Sequence, residues 1–343
     1  MKTKIYGTIG PACADTDTLV RLFEKGMTGI RINLSHTTLE EASDWLSNIA
    51  AAARSGKPEI LMDLRGPELR LGKLRPERRI LENDMLALVP EGKNNLFDPT
   101  EIPVNEEILP LLVSGQEVLL DDGKLKLVVE EKNAGEAECR VLRGGILKSG
   151  KSLALPGIKT NLPTLAKSDL ANLSVAKSYG ITGVMLPFVR GKEDLLHLRC
   201  AMKEAGAEKL RVFAKIENLE GVKMLPELLP YCDEVVIARG DLGNAVPLWK
   251  LPVLQAWIEE QCRRERKPFM VVTQMLASME HAKVPTRAEV SDIFRAVSEG
   301  ADSVMLTGET AVGEYPVEAM DYLVNTVREA ERYVERTPTR WQA

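Results

Sequence analysis

The sequence predicts an α/β chain folded as a (β/α)8 TIM barrel, with a small all-β domain inserted after strand 3. Three observations predict this. Eight short apolar runs alternate with amphipathic stretches of helical period. That period breaks once, between Leu71 and Leu155. Two of the runs, Phe213–Ile216 and Val236–Ala238, end abruptly in charge, as buried parallel strands do when they reach a functional rim.

The expected strands are Lys4–Ile9, Gly29–Leu34, Glu59–Leu64, Gly183–Phe188, Arg211–Ile216, Glu234–Ala238, Phe269–Thr273 and Ser303–Leu306. Helices are expected at Asp17–Lys25, Leu39–Arg54, Lys167–Tyr179, Glu193–Ala205, Leu251–Arg264, Ala288–Glu299 and Val317–Val334. Within the break, Val118–Leu120 and Lys124–Val129 alternate like strands and are punctuated by Asp122-Gly123 and Gly144-Gly145, a turn chemistry. The expected division is residues 1–70 for the first part of the barrel, 71–155 for an inserted all-β domain, 156–335 for the rest of the barrel, and 336–343 for a polar tail.

Composition narrows the function classes. With 343 residues, 44% hydrophobic and 28% charged, the chain reads as soluble and cytoplasmic. No apolar run approaches the roughly 20 residues of a membrane span, and the charged start Met1–Lys4 leads into a strand, not a signal peptide. A net charge of −5 argues against a nucleic-acid partner. The five cysteines are scattered without metal-ligand spacing and read as reduced thiols.

The charged strand ends carry the chemistry. Lys215 and Glu217 stand at the end of one run, Arg239 and Asp241 at the end of the other. Two acids and a lysine at neighbouring strand ends suit a hard divalent cation held between carboxylates and substrate oxygens, with an ammonium placed for an anion. A phosphorylated or 2-oxo acid fits that arrangement. The competing reading, a salt-bridged barrel rim, would be preferred for one strand and is weaker for two.

Several motifs resemble the pyruvate kinase family. They are Gly7-Thr-Ile-Gly-Pro11, Arg31-Ile-Asn-Leu-Ser-His36, Gly66-Pro-Glu-Leu-Arg70, Lys215-Ile-Glu-Asn218, Ala238-Arg-Gly-Asp-Leu-Gly243, Thr273-Gln-Met-Leu276, Pro285-Thr-Arg-Ala-Glu-Val-Ser-Asp292 and Gly308-Glu-Thr-Ala311. They occur in the family's order, and the resemblance runs from the first residues to about Glu331. It implies the same barrel, and a lid domain that closes over the site and excludes water. It further implies transfer of phosphate from phosphoenolpyruvate to ADP, giving pyruvate and ATP. The family's C-terminal effector domain is not expected after Arg340–Ala343, and neither is regulation through it. A homodimer through the barrel helices is the oligomer such a chain would allow.

The resemblance also implies roles. Lys215 balances charge on the transferring phosphoryl group, and Arg31 contacts the same phosphate. Glu217 and Asp241 hold Mg²⁺ or Mn²⁺. The backbone around Arg239, Gly240 and Asp241 receives the substrate carboxylate. Asn33, Ser35, Asp63 and the main chain of Leu64 form a K⁺ site, with Glu68 the acid associated with monovalent-cation dependence. His36, Arg70 and Lys151 lie on the nucleotide side, with Lys148 a close competitor of Lys151. Thr273 takes part in protonating enolpyruvate through water, as an orienting hydroxyl and not a stored acid. Glu289 reads equally as part of a capping box with Thr286, and Glu309 as a support.

Five positions depart from the family pattern: Leu64-Arg65 for Thr-Lys, Pro187 for Ser, Ala245 for an acid and Arg295 for Asn. They leave two other readings open. One is a paralogue performing metal-dependent decarboxylation or carbon–carbon cleavage on another 2-oxo acid; the other is a non-catalytic binding partner that retains the pocket.

Overall fold

In the computed structural model, residues 2–35, 37–53, 56–74, 76–93, 98–121, 123–133, 135–158 and 162–336 are described. The elements begin with β1 (Lys4–Thr8), α1 (Thr16–Lys25), β2 (Gly29–Asn33), α2 (Ser43–Ala52) and β3 (Glu59–Asp63). The inserted strands follow as β4 (Arg78–Ile80), β5 (Met85–Pro90), β6 (Glu101–Val104), β7 (Glu117–Leu120), β8 (Leu125–Lys132), β9 (Ala137–Arg143), β10 (Gly145–Leu147) and β11 (Leu153–Ala154). The chain then resumes with α3 (Lys167–Val175), β12 (Gly183–Leu186), α4 (Lys192–Glu204), β13 (Arg211–Ile216), α5 (Leu219–Leu228), β14 (Glu234–Ala238) and α6 (Arg239–Asn244). It finishes with α7 (Leu251–Arg264), β15 (Phe269–Val272), α8 (Arg287–Ser298), β16 (Ser303–Met305), α9 (Gly308–Ala311) and α10 (Pro316–Arg336).

Eight parallel strands close into a barrel in the order β1-β16-β15-β14-β13-β12-β3-β2, as the sequence predicts. Alternation along each strand divides the side chains between two cores. Ile5, Ile30, Ile60, Val212, Ala214 and Ile237 pack with the surrounding helices. Tyr6, Leu61, Met185, Phe213, Val236, Met270 and Met305 fill the barrel interior. The inward set therefore has a period of two. Counting on from Leu61 and Phe213 brings Asp63, Lys215 and Glu217 to the C-terminal rim. Counting back brings Glu59, Arg211 and Glu234 to the floor.

The floor is polar and fully tied together. Glu59 accepts from Tyr6 Oη at 2.5 Å, pairs with Lys4, and lies 3.1 Å from Arg211. Arg211 also pairs with Glu234 at 2.9 Å, and Ser303 donates to Glu234. Gly29 and Gly183 open the strands flanking β3, and neither has room for a side chain. A Cβ on Gly29 would stand 2.5 Å from the Tyr6 ring, and one on Gly183 2.7 Å from Phe213.

Helix ends follow local chemistry. Asp15 accepts from Thr18 N at the start of α1, and Gly26, at φ 122°, closes its end. Thr286 and Glu289 form the expected capping box on α8. The sequence reading missed α5, whose Gly221 and Pro226 weaken the helical signal. Asn218 starts it by accepting from Gly221 N at 2.7 Å. The second helix begins at Ser43, not Leu39; ahead of it the Leu39 N–H donates to the Asn172 side chain on α3 at 2.9 Å.

Two compact units divide the chain. One comprises Met1–Gly66, Pro163–Leu242 and Lys250–Ala343; the other comprises Pro67–Leu162 with Gly243–Trp249. The second unit has its own core of Leu88, Ile102, Val118, Leu127, Val129 and Val141. Its six-stranded sheet runs β11-β7-β8-β9-β5-β6, beside a β10–β4 pair. Single bridges from Arg70 to Ser152 and from Leu71 to Val104 tie one chain segment to both ends of that sheet. Among the described residues, no helix is long and apolar enough to cross a membrane.

Candidate active site

Four charged groups converge at the barrel rim. Lys215 Nζ lies 3.0 and 3.2 Å from the two oxygens of Asp63, and 3.1 Å from Glu217 Oε1. Arg31 grips the same Asp63 through Nε at 2.8 Å and Nη2 at 2.5 Å, and reaches Thr8 Oγ1 at 3.3 Å. Glu217 also accepts the Phe188 N–H at 2.7 Å. Asp63 and Glu217 are 1% and 3% exposed, so these are charges in a largely dry setting.

Burial alone would push the Asp63 carboxyl up, but Lys215 and Arg31 outweigh it and hold the group below the usual range. For Lys215, burial opposes the charge, and Asp63 with Glu217 overcomes it, so the ammonium is held more firmly than usual. Glu217 goes the other way. Its burial, reinforced by the charge of Asp63, raises its pKa despite Lys215 and the Phe188 N–H. A bound cation would relieve that penalty. Oxygen donors from Glu217 and Asp241 suit a hard divalent ion, and Asp241 stands in the first turn of α6. Among the described residues, no cluster of three or more His, Cys, Asp or Glu side chains suited to a metal occurs, so such an ion would need oxygens from elsewhere.

The expected monovalent-cation residues lie around the ends of β2 and β3. Asn33 pairs in register with Asp63, and its Oδ1 accepts from Ser35 N at 3.1 Å. Both oxygens of Asp63 already serve Lys215 and Arg31. Leu64 buries its side chain in the layer between strands and helices, so only its main chain bears on the rim. Arg65 N and Gly66 N donate to Asp169 on α3 at 2.8 and 2.9 Å, which anchors the chain just after Leu64.

A second group surrounds Thr273. This β-branched residue has φ 75° and Gln274 φ 55°, two consecutive left-handed residues without glycine. A Cβ on Gly240 would lie 3.2 Å from Thr273 Cγ2, so the missing side chain lets the two segments approach. The Arg239 guanidinium donates to Thr273 O at 2.7 Å from Nη2 and at 3.1 Å from Nε. It pairs on its other side with Asp292 of α8. Glu309 accepts from Leu276 N and Thr307 N at 3.0 and 2.7 Å, a support for this loop, and Glu289 accepts from Ser278.

In the second unit, Arg70 is braced by Glu68 at 2.8 Å and donates to Gly150 O at 2.7 Å. Lys151 pairs with Asp121 at 3.0 Å, whereas Lys148 is exposed. His36 lies outside the described residues. Sequence reasoning missed Thr8, Phe188 and Asp292. Thr8 and Asp292 stood in quoted motifs without a role, and nothing in the local pattern marked Phe188.

The family model for the pyruvate kinase barrel domain matches residues 1–320. The chain belongs to the pyruvate kinase family. The pyruvate kinase of Geobacillus stearothermophilus is 39% identical over 346 residues, covering 97% of this chain and 58% of that protein. That of Thermococcus litoralis is 38% identical over 340 residues, covering 97% and 70%. The Methylorubrum extorquens enzyme is 37% identical over 347 residues, covering 99% and 70%. The chain thus spans between 58% and 70% of the length of these pyruvate kinases. These likenesses give no support to the paralogue or the non-catalytic reading.

Proposed function

We propose that this chain catalyses phosphoryl transfer from phosphoenolpyruvate to ADP, yielding pyruvate and ATP. The observation that carries the reading is the Lys215 ammonium, held between buried Asp63 and Glu217 with Arg31 on the same carboxylate. Phosphoryl transfer needs little covalent help from the protein and much positive charge in a fixed place. Lys215 and Arg31 supply it, and Asp63 keeps both side chains in register while limiting their mutual repulsion.

Glu217 and Asp241 would hold Mg²⁺ or Mn²⁺, which supplies charge neutralisation on the substrate oxygens when bound. Asn33, Ser35, Asp63 and the Leu64 carbonyl would serve K⁺. The main chain around Arg239–Asp241 would receive the substrate carboxylate, and Thr273 would orient the water that protonates enolpyruvate. Arg31, His36, Arg70 and Lys151 would face the nucleotide. A cytoplasmic enzyme, able to pair through its barrel helices, fits this reading.

The test is direct measurement of ATP and pyruvate from phosphoenolpyruvate and ADP with Mg²⁺ or Mn²⁺, with K⁺ present or omitted. Equal amounts of both products are expected, with a fall on K⁺ omission. Absence of ATP at high enzyme would overturn the assignment.

A further inference from the structure

We infer that Asp292 is a positioning residue for the proton-transfer half of the reaction, acting through Arg239 on Thr273. The inference rests on the proposed phosphoryl-transfer reading.

Thr273 and Gln274 adopt a backbone that non-glycine residues enter only when their surroundings impose it. Arg239 is what imposes it. Its guanidinium reaches Val272 O at 3.3 Å, Thr273 O at 2.7 Å and Gln274 O at 3.3 Å, three successive carbonyls of the turn. One planar fork bonded to three carbonyls fixes the direction of the peptide planes, and hence the direction of the Thr273 side chain. The Thr273 methyl packs over Gly240, which leaves its hydroxyl one way to point.

Asp292 fixes the fork. It pairs with Nη1, the guanidinium nitrogen on the side away from those carbonyls, and the Arg239 side chain is only 10% exposed. The helix carrying Asp292 holds the same loop a second time, through Glu289 to Ser278 N at 2.8 Å. Asp292 therefore connects a rigid helix to a strained turn without standing at the reacting atoms.

The affected step is the second one. After phosphoryl transfer the C2–O electron pair of the enolate returns to form the carbonyl. The C2=C3 pair then takes a proton from a water held by the Thr273 hydroxyl, and the hydroxide left behind is neutralised from bulk solvent. Lys215, Arg31 and Asp63, which serve the first step, have no hydrogen bond to Asp292 or Arg239.

The experiment compares wild type with Asp292→Ala, Asp292→Asn and Asp292→Glu. Three readings are taken: steady-state pyruvate formation, single-turnover ATP formation, and exchange of pyruvate methyl hydrogens with deuterated solvent. In the first two variants, kcat and methyl exchange should both fall about tenfold, the scale of a misplaced proton-transfer group. KM for phosphoenolpyruvate and single-turnover ATP formation should stay within about twofold of wild type, and Asp292→Glu should recover part of the loss. Unchanged exchange, or ATP formation slowed as much as exchange, would overturn the inference. So would loss of the fold in both Asp292→Ala and Asp292→Asn, since the role would then be structural. If wild type itself makes no ATP and exchanges no hydrogens, the functional reading fails and takes this inference with it. Wild-type activity with unaffected variants removes the inference alone.

Discussion

Lys215 on β13 and Asp63 on β3 meet at 3.0 Å although 152 residues separate them in the chain. β12 stands between their strands. Inward side chains of alternate barrel strands share a layer, so the ammonium bypasses the adjacent strand to reach its carboxylate.

Replacing Lys215 removes a transition-state contact and leaves two buried acids. Lys215→Met should lower turnover by about three powers of ten or more, while the fold persists. Single-turnover ATP formation and circular dichroism check this together. Near-normal transfer would exclude Lys215 from the chemistry.

Asp63 should govern acid stability at the rim. Its folded-state pKa is held below the unfolded value of about 3.9, so its contribution is present above that value and is lost as pH falls through the folded one. The stability gap between wild type and Asp63→Asn should be wide at neutral pH and shrink below about pH 4. Denaturant melts across that range measure it, and a gap independent of pH would contradict the ion-pair account.

Glu259 should behave in the opposite sense. It is 1% exposed on α7, where it accepts from Gln255 Nε2 at 2.8 Å. Burial raises its carboxyl above the usual range, against the pull of Gln255, Arg295 and Arg263. Its contribution is therefore complete below about 4.3, the unfolded value, and is lost as pH rises through the folded one. Glu259→Gln keeps the shape without the charge. It should melt higher than wild type at alkaline pH, with the difference vanishing towards pH 4.

At the barrel floor, Gly29→Ala should cost about 1–3 kcal/mol by overpacking. The added methyl would meet both the Tyr6 ring and Glu59 O, the latter at 2.8 Å. Equilibrium unfolding tests this, and an unchanged stability would mean that the floor can yield.

The barrel strands were legible because their apolar runs are short and alternate with amphipathic stretches of helical period, and two of them end in charge. Lys215 and Glu217 could be placed on one face from spacing alone, since side chains two apart in a strand point the same way. The capping box at Thr286 and Glu289 was legible for the same local reason. α5 was not, because propensity gave little sign of a helix whose stability comes from packing Val222, Leu225 and Leu228 against the barrel. Asp63 could be read as an oxygen donor, but its grip on Arg31 and Lys215 could not.

The sequence by itself therefore determined the barrel and the shared strand face of Lys215 and Glu217, since both follow from short-range periodicity. Only the tertiary structure decided the partners: Asp63 with Lys215 and Arg31, and Arg239 with Asp292 and the Thr273 turn. Those pairings depend on how a closed sheet staggers its strands and which helix packs behind which loop, and no local pattern records that.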